Sequence, residues 1–223
     1  MNRNQTSYIS ALKYRWLTPL YDPIARVTLQ DSTFKRQLIE QAQIQNGQNI
    51  LDLGCGTATL TLLIKELHPG TQVVGLDADP QVVAIAKAKA AESKLEIAFA
   101  LGLSFKLPYP DKYFHRVFSS LMFHHLTPEN KHRTLAEIYR VLSPNGELHV
   151  SDWGKPQNLT MRLVFLMVQL LDGFETTAEN VRGELPELIR DVGFKEVQET
   201  SRFMTMFGTL SLYLARRPGE SNL

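Results

Sequence analysis

Cysteine is nearly missing from this chain, whose 223 residues include one, Cys55. A single thiol excludes an intramolecular disulfide and any zinc site built on paired thiolates, and it suits a reducing compartment. Long apolar runs are missing as well: the N-terminal residues show no apolar stretch of the secretory type, and no segment reaches the length of a membrane span. We therefore expect a cytoplasmic protein without an integral membrane span and without a metal site.

An excess of one charge sign is also missing. Lysine and arginine number 24 against 23 for aspartate and glutamate, which gives a formal net charge of +1. No basic block or stripe of the kind that binds phosphate backbones is present, so nucleic acid is not an expected partner. No repeat or low-complexity segment appears. A chain of this length can bury a full core, so we expect one domain, as a monomer or a homodimer.

Short apolar runs alternating with helical patterns dominate the chain from residue 47 onward. The runs predicted to be strands cover 49–53, 72–76, 95–100, 116–122, 147–152, 195–203 and 208–215. Helical patterns cover 128–142, 159–174 and 183–194, and a preface of short helices broken by prolines precedes the first strand. Alternation of strand and helix is typical of a parallel sheet with helices on both faces.

The first strand is followed by the sequence LGCGTATLT, in which Gly54 and Gly56 permit a tight turn and a close backbone approach to a ligand. A plain strand-to-helix turn is the alternative. The dinucleotide fingerprint Gly-x-Gly-x-x-Gly is not met, because Thr59 stands in its third glycine position. Asp52 at the strand end would repel a pyrophosphate. A ligand with positive charge fits this turn better.

Four motifs in order resemble those of class I S-adenosylmethionine-dependent methyltransferases. They are ILDLGCGTATLT, the strand end VVGLDADP, the loop GLSFKLPYPDKYFHRVFSS, and the segment FHHLTPENKHRTLAEIYRVLSPNGELHVSDW. The likeness runs from about Ile50 to Trp153 and more loosely to Arg217, and it is to the group acting on quinones, sterols, phospholipids and natural products. It implies S-adenosylmethionine as cofactor, with S-adenosylhomocysteine as product.

The resemblance implies a set of cofactor-binding residues. Asp77 matches the acid that accepts hydrogen bonds from both ribose hydroxyls, whereas the Asp-Pro pair at Asp79 is a natural helix start. Leu103 replaces an acid that often receives the adenine amino group, and His115 replaces a usual aspartate. The full predicted set is Asp52, Gly54, Cys55, Gly56, Asp77, Ala78, Leu103, Ser104 and Ser119. Capping of a helix is the alternative role for a carboxylate at a strand end.

The implied fold is α/β: a Rossmann-like seven-stranded sheet whose last hairpin is antiparallel, with helices on both faces. Within one domain, 1–223, we expect a helical N-terminal cap over 1–46, a cofactor-binding core over 47–153, an acceptor lid over 154–182, and a C-terminal helix and hairpin over 183–217. The lid helix is apolar nearly all round, which also fits a buried core helix or a dimer contact.

In similar families the lid and the N-terminal helices lie over the acceptor pocket, which implies an apolar acceptor. The residues predicted to contact the substrate are Tyr14, Tyr21, Met161 and Phe165, with Tyr8, Trp16 and Met167 as further candidate walls. Plain packing is the alternative for each of them.

Methyl transfer from a sulfonium is an in-line displacement that needs alignment rather than a protein nucleophile. An oxygen or activated-carbon acceptor must lose a proton, and a histidine near the methyl group would assist. His124 and His125 follow the fourth strand at its carboxyl end, and the family motif slightly favours His125. A loop histidine bonded to backbone carbonyls is the alternative. His115, His132 and His149 fall within predicted strands or helices.

These patterns predict a methyltransferase that moves a methyl group from S-adenosylmethionine to a small hydrophobic molecule. The alternative is a protein that binds the cofactor without turnover, in a partner or regulatory role. A nicotinamide-dependent dehydrogenase is a distant third interpretation.

Overall fold

A computed structural model describes residues 31–219, and of these it leaves the side chains of residues 31, 171 and 172 undescribed. The helices are α1 (Asp31–Glu40), α2 (Thr59–Leu67), α3 (Pro80–Glu92), α4 (Pro128–Val141), α5 (Leu159–Asp172), α6 (Phe174–Arg182) and α7 (Leu185–Asp191). The strands are β1 (Asn49–Leu53), β2 (Gln72–Asp77), β3 (Ala98–Leu101), β4 (Phe114–Ser120), β5 (Leu142–Trp153), β6 (Lys195–Thr205) and β7 (Gly208–Arg216).

All seven strands form one sheet in the order β3-β2-β1-β4-β5-β7-β6. The first five strands pair in parallel, and β7 pairs antiparallel with both β5 and β6. The prediction of a seven-stranded sheet with an antiparallel last hairpin is therefore confirmed. Strand order reverses between β1 and β4, which places a crevice at the carboxyl ends of these two strands.

Two apolar clusters cover the two faces of the sheet. One contains Leu135 and Ile138 of α4 and Ile189 of α7. The other contains Phe34 of α1 and Ile64 of α2. Helices α1, α2 and α3 line a common groove of about 620 Å³, so they lie side by side on this second face. The three-layer arrangement follows from strands that bury apolar side chains on both faces.

Residues 102–113 join β3 to β4 without a helix, and two prolines, Pro108 and Pro110, disfavour one there. The structure differs from the sequence prediction at several element ends. Strand β4 ends at Ser120, and a short 3-10 turn, Phe123–His125, follows it. The helix predicted as a lid stops at Gly173, whose φ of 103° ends α5, and α6 begins directly afterwards. The helical predictions before residue 31 lie outside the described part of the chain.

Candidate functional site

The glycine turn after β1 lies at the carboxyl edge of the sheet. Gly54 and Gly56 have φ values of 72° and 55°, a region in which side chains are strained. Gly54 donates its N–H to the Leu76 carbonyl at 2.8 Å, and a Cβ at this position would lie 2.5 Å from Met122. A Cβ on Gly56 would meet nothing within 4 Å. Gly54 therefore serves close packing, while Gly56 faces open space.

Cys55 lies between these glycines, and its thiol is buried. Its sulfur lies near Gly75 of β2. Burial, with smaller effects from Asp52 and Asp77, raises the pKa of the thiol far above its usual value. The thiol is therefore a packing group, and only the backbone of Cys55 is suited to contact a ligand.

Asp52 lies near the carboxyl end of β1, beneath the turn, and is 1% exposed. Thr61 of α2 donates its hydroxyl to Asp52 Oδ2 at 2.6 Å. Burial raises the pKa of this carboxyl from 3.8 to about 6, although the Thr61 bond and the charge of Lys35 lower it. The other oxygen, Oδ1, has no hydrogen-bond partner within the described residues. Asp52 is therefore a buried acid with one acceptor unsatisfied.

Asp77 ends β2 beside the glycine turn. Its Oδ2 accepts the Gly56 N–H at 2.9 Å and its Oδ1 accepts the Asp79 N–H at 3.0 Å. Burial raises its pKa despite these backbone bonds. Asp79 instead caps α3, accepting the Gln81 N–H at 2.8 Å ahead of Pro80. The two neighbouring acids thus differ in role, as the Asp-Pro pair predicted.

The remaining predicted cofactor residues lie around this edge. Ala78 is half-buried between Asp77 and Asp79, and Leu103 forms an isolated bridge with Lys106 in the loop after β3. Ser104 shares a hydrogen bond of 2.8 Å with Thr134 of α4. Ser119 of β4 is fully buried. The structure brings these residues to one region, and their role in cofactor binding stays a prediction.

Buried polar atoms without a hydrogen-bond partner gather at this edge. Within the described residues they are Asp52 Oδ1, Ser119 Oγ, Trp153 Nε1 and Ser211 Oγ. The first three stand at or near the carboxyl ends of β1, β4 and β5, and Ser211 of β7 lies opposite Asp152 of β5 in the sheet. Native proteins contain few such atoms, and each is explained by a bound ligand, a bound water or local strain. The edge therefore offers a polar ligand both acceptors and a donor.

The two histidines occupy the 3-10 turn after β4. Their ring centroids are 3.9 Å apart, and the angle between the ring planes is 46°. His124 is buried, and its Nδ1 lies 2.8 Å from Asp152 Oδ1. The Trp153 ring lies 6.1 Å from the His124 ring. Burial, and then the neighbouring His124, lower the pKa of His125 well below its usual value. A pair of adjacent imidazoles beside a buried carboxylate can hold or move a proton.

Sequence reasoning missed a polar network that supports this turn. Asp152 is fully buried, and Asn180 of α6 donates to its Oδ1 at 3.3 Å and to the Trp153 carbonyl at 2.8 Å. Lys131 of α4 reaches Glu179 at 2.7 Å and Asn180 at 3.2 Å. The signal available in the sequence was the acid at the end of a buried strand, in VSDW. The partners on α4 and α6 carried no comparable signal.

Helix α5 has one buried face and one exposed apolar face. Phe165 is 1% exposed, and its ring lies 5.6 Å from that of Trp153. Met161 is half-buried, and Met167 is 63% exposed. The helix is therefore not buried on all sides, and Phe165 lies in the core cluster of the second face. The contacts of Met161 and Phe165 with an acceptor stay predictions.

The other predicted wall residues, Tyr8, Tyr14, Trp16 and Tyr21, lie outside the described residues.

The other histidines serve local structure. His115 Nδ1 accepts the Asn49 N–H at 3.0 Å, and His149 stacks on Phe118 with centroids 5.1 Å apart. Glu147 beside His149 accepts from Arg216 at 2.8 Å. His132 is exposed on α4.

Residues 31–219 hold no group of three or more histidine, cysteine or acidic side chains arranged for a metal ion. No helix in this part of the chain combines the length and the apolar character that crossing a membrane requires.

The fold and the site together define an α/β protein with a crevice at the carboxyl ends of β1 and β4. The methyltransferase domain family matches residues 50–146. A demethylmenaquinone methyltransferase from Thermus thermophilus is 35% identical over 151 residues, which are 67% of this chain and 68% of that protein. This chain belongs to the class I S-adenosylmethionine-dependent methyltransferases, as the four motifs predicted.

Two solved structures show the same fold at low sequence identity. The [4+2]-cyclase SpnF has a TM-score of 0.71 at 21% identity, over 92% of this chain and 94% of that one. A SAM-dependent methyltransferase from Methanosarcina mazei has a TM-score of 0.65 at 21% identity, over 82% of this chain and 98% of that one. Because one of them is named a cyclase, the shape of the sheet alone does not specify methyl transfer.

Proposed function

We propose that this protein transfers the methyl group of S-adenosylmethionine to a small hydrophobic acceptor of the quinol class. The Thermus thermophilus relative is named for a quinone acceptor. The observation that carries the proposal is the unsatisfied oxygen of Asp52, buried under the glycine turn. A ligand with an ammonium and a sulfonium suits an anionic strand end that a pyrophosphate would avoid.

The residues present fit the cofactor. Asp77 would accept the two ribose hydroxyls, because each of its oxygens uses one acceptor position on the backbone and keeps another. The open space at Gly56 admits a close approach of the ligand to the backbone. The polar end of the cofactor would supply hydrogen-bond partners for the buried oxygens of Asp52 and Ser119. When bound, S-adenosylmethionine supplies an electrophilic methyl carbon.

The acceptor would lie between the histidine turn and α5. Trp153 joins these two elements, since its ring lies within 6.1 Å of His124 and 5.6 Å of Phe165. Its buried indole N–H lacks a partner within the described residues and could donate to an oxygen of the acceptor. Aromatic and apolar side chains around the reacting atoms exclude water, which favours in-line alignment of donor and acceptor.

Two measurements test the proposal. Calorimetry should show binding of S-adenosylmethionine and S-adenosylhomocysteine and none of NAD. Incubation with cofactor that carries a trideuterated methyl group, and with reduced demethylmenaquinone or a cell extract as acceptor source, should yield a labelled product by mass spectrometry. An Asp77→Ala variant is the matched control, because it should lose both binding and labelling.

The outcomes separate the candidate functions. Tight cofactor binding without a labelled product from either acceptor source would indicate the alternative, a protein that binds the cofactor without turnover. Tight NAD binding with no S-adenosylmethionine binding would overturn the proposal and support a dehydrogenase.

A further inference from the structure

We infer that Asp152 is a positioning residue that holds His124 with its hydrogen on Nδ1, so that His124 Nε2 is the atom of the histidine pair that takes up the acceptor's proton. The inference rests on the proposed methyl transfer and names a residue that the sequence patterns did not assign. It is carried by the hydrogen bonds that converge on one buried carboxyl group.

Asp152 lies at the end of β5 and is fully buried. Its Oδ2 accepts the Phe123 N–H at 2.8 Å, which ties β5 to the first residue of the histidine turn. Its Oδ1 accepts the Trp153 N–H at 2.7 Å and lies 2.8 Å from His124 Nδ1. Asn180 Nδ2 approaches the same oxygen at 3.3 Å.

These partners decide which atom carries the hydrogen. Two of them are backbone N–H groups, and the Asn180 amide is oriented by Lys131, whose ammonium can only donate to Asn180 Oδ1. The amide therefore presents N–H to Asp152. A carboxyl group that faces donors on both oxygens is an ionised acceptor. His124 Nδ1 must then be a donor, and in the neutral ring Nε2 carries the lone pair.

The ring of His125 lies next to that of His124. The ring centroids of His124 and His125 are 3.9 Å apart, so one positive charge on the pair disfavours a second. Asp152 bonds to His124. Asp152 therefore fixes the orientation and the tautomer of the His124 ring within this pair.

Two further charged groups, on α4 and α6, reach this network. Lys131 of α4 and Glu179 of α6 form a buried ion pair of 2.7 Å that reaches Asp152 through Asn180. Lys131 donates to Asn180 Oδ1 and so fixes the position of the Asn180 amide. Asp152 is the charged group that bonds directly to His124.

The acceptor's bond to hydrogen breaks, and its electron pair forms the new bond to the methyl carbon. The bond from that carbon to sulfur breaks, and its electrons stay on sulfur. The proton moves to His124 Nε2, which becomes cationic beside the Asp152 carboxylate, and it passes to water when the product leaves.

Nitrogen-15 NMR of the histidine-labelled protein tests the assignment without an acceptor. At alkaline pH, where both rings are neutral, His124 should show a protonated Nδ1 and a lone-pair Nε2. Loss of the signals in His124→Gln and in His125→Gln assigns them. A His124 ring with its hydrogen on Nε2 in the unmodified protein overturns the inference, whatever happens to the variants.

Two variants and a matched control extend the test. Asp152→Asn and Asp152→Ala should each raise the Nε2–H fraction, because the anionic acceptor is gone. Glu179→Gln removes a buried charge in the same network without touching His124, so its tautomer should be unchanged. Unchanged tautomers in both Asp152 variants, or an equal change in Glu179→Gln, would refute a specific role for Asp152.

Activity gives an independent readout. With a labelled acceptor in hand, Asp152→Asn should lower the turnover number by about a hundredfold or more, the range of general-base catalysis, while the Kd for S-adenosylmethionine stays constant. If the NMR result holds and no acceptor is ever methylated, the proposed function fails and the histidine assignment stands. A full turnover number in Asp152→Asn with an altered tautomer would overturn the catalytic part.

Discussion

Replacing Asp52 by asparagine should stabilise the protein while weakening cofactor binding. Burial raises the folded-state pKa of Asp52 from 3.8 to about 6. A shift of that size corresponds to about 3 kcal/mol at 1.4 kcal/mol per unit. Because the folded state favours the protonated acid, this cost is absent near pH 4, grows as pH rises to 6, and is fully present at neutral pH.

The asparagine side chain in the Asp52→Asn variant would carry no charge and could still accept the Thr61 hydroxyl. The free energy of unfolding at pH 7.5 should therefore rise by up to about 3 kcal/mol, which raises the melting temperature by roughly 2 to 4 °C per kcal/mol. The difference between variant and parent should vanish toward pH 4. The loss of a charge-assisted bond to the ligand should weaken S-adenosylmethionine binding by about 1.5 to 3 kcal/mol.

Thermal melting monitored by circular dichroism between pH 4 and pH 8, with calorimetry for the cofactor, measures both effects. Asp79→Asn is the matched control, since asparagine is an equally good helix cap and should change the melting temperature little. A variant at Asp52 that melts at or below the parent temperature at pH 7.5, and that binds the cofactor as before, would refute the reasoning about this buried acid.

Three further predictions follow from contacts elsewhere. Asp77→Ala should weaken S-adenosylmethionine binding by about 2 to 4 kcal/mol, partly through two lost backbone bonds, and unchanged calorimetry would contradict its role. Burial alone would raise the pKa of Glu147, but His149, Arg216 and Arg116 together lower it to about 2. Glu147→Gln should thus lower the free energy of unfolding by about 2 to 3 kcal/mol above pH 5, and this difference from the parent should disappear as pH falls toward 2. Urea titrations that show no such pH dependence would disprove this. Phe165→Ala should destabilise by about 3 to 5 kcal/mol and the exposed Met167→Ser by under about 0.5, and equal melting temperatures would contradict the packing of α5.

Much of the fold could be predicted because its signals are local. The alternation of apolar runs with helical patterns predicted the parallel sheet, and the glycines of the first turn predicted its position at the carboxyl edge. The helix start at Asp79 was readable from the Asp-Pro pair alone. The ends of strands were predicted less accurately. Strand β4 ends before Leu121, because a φ of 54° at this residue breaks the strand although the apolar run continues.

The candidate site was predictable to the extent that its residues lie in one motif. Asp52 and Asp77 lie at the carboxyl ends of two neighbouring parallel strands and Gly56 follows the first of them, so their proximity follows from the topology. The orientation of α5 did not follow, because a helix with apolar residues on nearly every side has no pattern that selects its inward face. The tertiary structure buries Phe165 and exposes Met167.

The class of the fold, the edge at which we expect the ligand and the acids that end β1 and β2 were thus determined by the sequence, because each depends on residues close together in the chain. Only the tertiary structure decided what surrounds the two histidines. Asp152 stands 28 residues from His124 and Asn180 a further 28 beyond it. Their partnership arises where β4, β5 and α6 meet, and such long-range hydrogen bonds leave no periodic trace in the sequence.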